Sequence, residues 1–182
     1  MRLSLDRIPS PVGEILLVFE GEVLRALDFH DYAPRMHRLL ALHYGAVSLV
    51  PAAAPAALRQ PLDRYFDGDF SALDDIRTAT GGTAFQRDVW TALRQIPAGE
   101  TLGYGRLAAI IGRGQASRAV GAANGANPIA IVVPCHRVIG ANAALTGYGG
   151  GLPRKAWLLD HEKPARPRQG LLPGLDAGQS AA

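Results

Sequence analysis

At 182 residues, with 48% hydrophobic and 19% charged residues, the chain has the make-up of a globular protein large enough for one domain or two small ones. A single cysteine excludes an internal disulfide and a thiolate metal site, no apolar run approaches the length of a helical membrane span, and the first residues lack the apolar stretch of a secretory signal, so a cytoplasmic, reduced setting without membrane contact is expected. The formal net charge of +3 is unevenly spread: Met1–Gly82 carries eight basic and eleven acidic residues, Thr83–Glu162 eight and four, so any polyanion is expected to meet the second half, although so small an excess does not by itself specify nucleic acid.

In chain order, "EILLVFEGEVLRALDF" gives two strands around a hairpin turn at Glu20-Gly21-Glu22. "APRMHRLLALHYG" has helical spacing through Met36, Leu39, Leu40 and Leu42–His43, with a glycine to cap it. "APAALRQPLDRYFDGDF" reads as a second helix, broken or restarted at Pro61. The turn-prone "TATGGT" (Thr78–Thr83) marks a boundary. After it, Thr83 and Gln86 form a T-x-x-Q capping box that opens a helix through Val89, Trp90 and Leu93, stopped by "PAGE". The expected division is therefore an N-terminal unit of β-sheet and helices over residues 1–80 and a mostly helical unit over 81–163. A Pro- and Gly-rich tail over 164–182 is expected to be irregular. The fold class is α/β in the broad sense, more narrowly α+β.

Two short helical patterns between Gly103 and Asn127, the first carrying Leu107, Ile110 and Ile111 on one side, are separated by "GRGQ" and have the form of a helix-turn-helix. On the second, "ASRAVGAANGAN", helical spacing puts Ala116, Val120, Ala123 and Asn127 inward and Arg118, Gly121, Ala122 and Gly125 on the other side. A face of glycine and alanine with one arginine permits close backbone approach, either to another helix or to a DNA groove.

The stretch "IVVPCHRVIG" (Ile131–Gly140) interrupts a buried-looking strand with Cys135, His136 and Arg137. A lone cysteine in an apolar run is most often an inert core residue. Here Pro134 fixes the backbone before it, and His136 and Arg137 need partners in an apolar layer. A neighbouring imidazole or guanidinium also lowers a thiol pKa. On an extended chain Cys135 and His136 point to opposite sides, so a direct bond between them is not expected. Glu162, at the end of a helix from about Pro153, places a negative charge where the helix dipole disfavours it.

"PCHRV", preceded by "NPIAIVV" and followed by "TGYGGG" and "RKAWLLDHE", resembles the O6-alkylguanine-DNA alkyltransferase family in its bacterial methylated-DNA–protein-cysteine methyltransferase branch, over roughly Thr83 to Glu162. The resemblance implies irreversible, single-turnover transfer of an alkyl group from O6 of guanine, or O4 of thymine, in double-stranded DNA to Cys135 after nucleotide flipping. By position it gives a relay from Cys135 through a water to His136 and Glu162, with Tyr104 at the base and the rotated phosphate. Asn127 would tie the helix-turn-helix to the active-site turn. The carbonyl of Val138, the ring of Tyr148 and the amides of Gly149 and Gly150 would form the base pocket, and Gly149 stands where vertebrate members carry serine. Arg118 would fill the vacated place, with the Gly121, Ala122 and Gly125 face in the minor groove. No cofactor or metal is implied, and the expected form is a monomer, with side-by-side cooperation on DNA left open. Arg137 is expected only in a structural ion pair. Two other readings stand beside this one: a non-catalytic damage binder of the same fold, and a helix-turn-helix regulator with Cys135 as redox sensor.

Overall fold

The computed structural model describes residues 1–163; the expected irregular tail at 164–182 lies outside them. Four strands, β1 (Arg2–Ile8), β2 (Ile15–Glu20), β3 (Val23–Phe29) and β4 (Ser48–Pro51), form a sheet in the order β3-β2-β1-β4. Strand β2 is antiparallel to both neighbours, and β4 joins β1 in parallel. The β2–β3 hairpin turns at Gly21, whose φ of 57° is a left-handed conformation that glycine adopts at little cost.

The run "ILLVF" in β2 is continuously apolar because both faces of the sheet are covered. Leu16 and Val18 pack with Leu3, Ala26, Met36 and Leu40 beneath α1 (Ala33–Tyr44). Ile15, Leu17 and Phe19 face the opposite way, into a larger cluster that includes Leu58, Trp90, Leu107, Val120 and Cys135. That cluster draws on both sides of the Thr78–Thr83 boundary. Helix α1 ends at Gly45 as expected, but Leu42 is 70% exposed and not part of the buried face. Helix α2 (Ala56–Phe66) neither breaks nor restarts at Pro61: it runs through that residue, which is buried on its inner face.

The outer edge of β3 is closed by chain from both halves, which removes an open row of peptide groups. Leu24 N–H donates to Arg77 O (2.9 Å) and Ala79 N–H to Leu24 O (3.1 Å). Farther along, Leu27 N–H donates to Pro128 O (3.0 Å) and Ala130 N–H to Leu27 O (2.9 Å). The N-terminal sheet thus anchors the segment that leads into Cys135.

Helix α3 (Ala84–Leu93) opens on the expected capping box, with Gln86 N–H donating to Thr83 Oγ1 (3.2 Å) and Thr83 N–H to Gln86 Oε1 (2.9 Å). Trp90 Nε1–H reaches Ala123 O (2.9 Å) and fixes α3 to α5 (Ser117–Gly125), the second helix of the helix-turn-helix, whose first is α4 (Tyr104–Ile110). Leu107 is buried, whereas Ile110 is 59% exposed, so the inner face of α4 is narrower than its sequence suggests. A two-stranded parallel pair, β5 (Leu102–Gly103) and β6 (Val138–Ile139), and α6 (Leu152–His161) complete the second half.

Candidate active site

The segment before the cysteine is not a strand. After the pairing of Leu27 with Ile129 it folds into tight turns, with Val132 N–H on Ala130 O (2.8 Å), Val133 N–H on Ile129 O (3.0 Å) and Cys135 N–H on Val133 O (2.7 Å). Ile131 takes φ = 68°, a left-handed conformation in which a β-branched residue is strained by roughly 1–3 kcal/mol. Cys135, His136 and Arg137 then form a 3-10 turn after Pro134. The alternation argument for an extended chain therefore does not apply, although no direct bond joins Cys135 to His136.

Asn127 spans these turns: its Nδ2 donates to Val133 O (2.8 Å) and Ile129 O (3.3 Å), and its Oδ1 accepts from Ile129 N–H (3.0 Å). It is buried as expected, but it lies beyond the end of α5 and not on its inward face. Asn124, which helical spacing did not single out, is the buried amide within α5; its Nδ2 reaches Cys135 O (3.4 Å) and its Oδ1 has no partner among the described residues.

Glu162, the C-cap of α6, is buried among donors that outweigh the unfavourable helix end. Its Oε1 faces His136 Nε2 (2.8 Å) and accepts from Arg137 Nη2 (2.9 Å) and the Tyr65 hydroxyl (2.8 Å). Its Oε2 accepts from Arg137 Nε (2.8 Å). Burial alone would push this carboxyl up, but the hydrogen bonds and charges of His136 and Arg137 hold it well below the ordinary carboxylate range. An ionised carboxylate can only accept, so His136 Nε2 carries the proton and Nδ1 is left as an acceptor. That Nδ1 is buried with no partner among the described residues. Arg137 is in the ion pair expected of it, and the partner is the relay carboxylate itself; its Nη1 donates to Ile96 O (2.6 Å).

Arg137 is thereby occupied by Glu162. Cys135 is 3% exposed, and burial pushes its thiol up against the opposing pull of the Asn127 hydrogen bond and the charges of Arg35 and Lys155. Burial likewise lowers His136, with Glu162 opposing. The resting pair is a neutral thiol and a neutral imidazole.

The residues expected at the base lie on α4, β6 and the loop before α6. Tyr104, the first residue of α4, has its ring 3.7 Å from where a Cβ on Gly121 would sit, an ordinary van der Waals contact. Tyr148 is partly buried, its ring 6.4 Å from that of His136, and its buried hydroxyl has no hydrogen-bond partner among the described residues. Lys155, a buried cation that the sequence reading passed over, donates from Nζ to Val138 O (2.6 Å), Thr146 O (2.7 Å) and Gly147 O (3.3 Å), which fastens the glycine loop to β6. A Cβ on Gly149 would lie 2.5 Å from Arg35 Cζ, and one on Gly150 would collide with the ring of Phe29. Arg35 is itself fixed by Asp28 (2.6 Å), Gly125 O (2.9 Å) and Asn127 O (2.8 Å). Glycine at 149 thus lets the loop lie against an arginine of the first half.

Arg118, Ala122 and Gly125 are exposed on α5 and Gly121 is half-buried, as that face requires. Arg106 and Arg113 share the exposed helix-turn-helix surface, and no acidic residue occurs between Glu100 and Asp160. Counting charge along the chain without acidic neighbours would have found both. The largest nearby cavity, about 800 Å³ between α6 and the 139–145 segment, does not touch Cys135.

The chain is similar to known proteins in both sequence and fold. The family described as 6-O-methylguanine DNA methyltransferase, DNA binding domain, matches residues 84–164. The methylated-DNA–protein-cysteine methyltransferase of Salmonella typhimurium is 52% identical over 165 residues, 89% of this chain and 96% of the relative. The protein of the same name from Mycobacterium tuberculosis is 46% identical over 160 residues, 88% and 92% of the two chains. The crystal structure of Mycobacterium tuberculosis OGT in complex with DNA matches with a TM-score of 0.75 at 42% identity, over 90% of this chain and 93% of that one.

Proposed function

The chain belongs to the methylated-DNA–protein-cysteine methyltransferase family, and from that premise we propose that Cys135 is the acceptor through which it reverses alkylation of DNA. The protein is a DNA-repair alkyltransferase that moves an alkyl group from O6-alkylguanine in DNA to a cysteine of its own. The observation that carries the assignment to Cys135 is its place beside an imidazole whose Nε2 is held by an ionised carboxylate and whose Nδ1 is free to accept.

In the reaction the Cys135 proton passes through a bridging water to His136 Nδ1, and Glu162 stabilises the imidazolium. The thiolate sulfur attacks the alkyl carbon in line with the C–O6 bond. A new S–C bond forms, the C–O6 bond breaks with its electron pair on the purine, and the restored guanine takes up a proton. Tyr104, beside the recognition helix, donates to the base as that charge develops. The Gly149 and Gly150 amides support the same edge. The product is a thioether, which no group in the site can cleave, so each molecule acts once.

Cys135 lies too deep for a base still stacked in a duplex, so the nucleotide must be rotated out. The Gly/Ala face of α5 suits the narrow minor groove, with Arg118 filling the gap and Arg106 and Arg113 meeting phosphates as the protein binds as a monomer. The redox-sensor reading loses support from the same burial, because sensor cysteines are exposed and low in pKa. Titration with a duplex carrying one radiolabelled O6-methylguanine tests the proposal: label in the protein should plateau at one equivalent and be absent from Cys135→Ser. Continued turnover, or label in that variant, would contradict it.

A further inference from the structure

The carboxylate of the relay is held from the other half of the chain. Tyr65 lies in the last turn of α2, 97 residues before Glu162, and is fully buried. Its ring packs edge-on against Phe66, Phe70 and His161 at centroid distances of 5.2, 5.8 and 5.4 Å, which leaves its hydroxyl one direction. Its backbone carbonyl lies 2.9 Å from His161 Nε2, so the ends of α2 and α6 are joined at this point. The hydroxyl donates to Oε1 of Glu162, the same oxygen that faces His136 Nε2.

We propose that Tyr65 is a positioning residue for alkyl transfer, which fixes Oε1 of Glu162 and limits the charge that this oxygen presents to His136. The inference rests on the Cys135–His136–Glu162 reading above and gives the first eighty residues a part in the chemistry. Three of the four donors on Glu162 meet Oε1, which has two lone pairs, so the hydroxyl and His136 Nε2–H share that oxygen. Arg137 alone would orient the carboxylate, since it binds both oxygens. The hydroxyl adds to that hold at Oε1, the oxygen that faces His136, and its distinct effect is there. The other groups facing His136 are Arg137 in its own turn, Lys155 on α6, and Tyr148 and Cys135 in the pocket. None of these binds Oε1 except Arg137.

The sign follows. Without the hydroxyl, more charge on Oε1 faces Nε2–H, the imidazolium is stabilised, and His136 binds its proton more tightly. Neutral His136, which must accept the cysteine proton, then disappears at a higher pH. Single-turnover transfer from methylated duplex is measured against pH for the wild-type chain and Tyr65→Phe, which keeps the packed ring. The expected result is an acid limb moved up by about half a pH unit, with transfer well below the limb slower by about threefold, the rate at neutral pH little changed, and duplex affinity unchanged. The inference is overturned if the limb stays in place and the rate follows only the folded fraction. Histidine ¹⁵N resonances, titrated in both proteins, report the His136 midpoint without any need for transfer; a midpoint that does not rise overturns it equally. Glu162→Gln separates the two levels: wild-type transfer in that variant removes the relay itself. Slowed transfer there, with an unmoved limb in Tyr65→Phe, removes only Tyr65.

Discussion

Replacing Glu162 with Gln keeps the shape of the side chain and removes its charge. In the native protein the carboxylate accepts from Arg137 twice, from Tyr65 and from His136, all at 2.8 or 2.9 Å and all buried. An amide turns one of its ends into a donor facing donors and leaves the Arg137 guanidinium without a counter-charge. Breaking a buried pair in this way costs about 3–5 kcal/mol, and at about 2–4 °C per kcal/mol for a chain of this size the melting temperature should fall by roughly 6–20 °C. The pH dependence has a fixed sign. The folded-state pKa of Glu162 lies below its unfolded value, so its contribution is complete above about pH 4.3 and is lost as pH falls toward the folded value. Melts followed by circular dichroism should therefore show the full gap between wild type and Glu162→Gln at neutral pH, and a narrowing gap below about pH 4. A drop of less than about 3 °C at neutral pH, or a gap that stays constant into acid, would refute the reasoning.

Gly149→Ser places a Cβ against the Arg35 guanidinium, which is pinned by Asp28 and two carbonyls and cannot swing aside freely. It should destabilise the protein by about 1–3 kcal/mol, and much less in an Arg35→Ala background; additive effects in the double-mutant cycle would show that the contact is slack. Arg118→Ala should slow repair in duplex by about tenfold, the equivalent of some 1.4 kcal/mol of the flipping cost, while transfer from the free base O6-methylguanine stays unchanged. An equal loss on both substrates would remove Arg118 from the flipping step.

Local signals carried far along this chain. The capping box at Thr83 and Gln86, the hairpin turn at Gly21 and the small-residue face of α5 are short-range patterns, and each formed where its residues place it. The cysteine turn was legible as an anomaly but not as a shape. "IAIVV" has a strand's composition, and what bends it is Ile131 at positive φ, held by the pairing of Leu27 with Ile129 and by Asn127 across the turns. The helix through Pro61 is a similar override: burial of Leu58, Pro61, Leu62 and Tyr65 on one face outweighs the missing N–H. The contacts that complete the site join residues far apart in sequence. Tyr65 meets Glu162 and Arg35 meets Gly125 and Asn127 across ninety or more residues, and no periodicity encodes such a meeting. The thiol's surroundings are hidden for the same reason: proximity of Arg137 in sequence says nothing of Glu162, which occupies it, or of the burial that pushes the thiol up.

The central claim is that Cys135 receives the alkyl group. After incubation with an O6-methylguanine duplex, protease digestion and mass analysis should find the peptide containing Cys135 heavier by one methylene, with every other peptide unchanged and the duplex restored to guanine. An unmodified Cys135 peptide alongside repaired DNA, or the methyl group on another residue, would contradict the account.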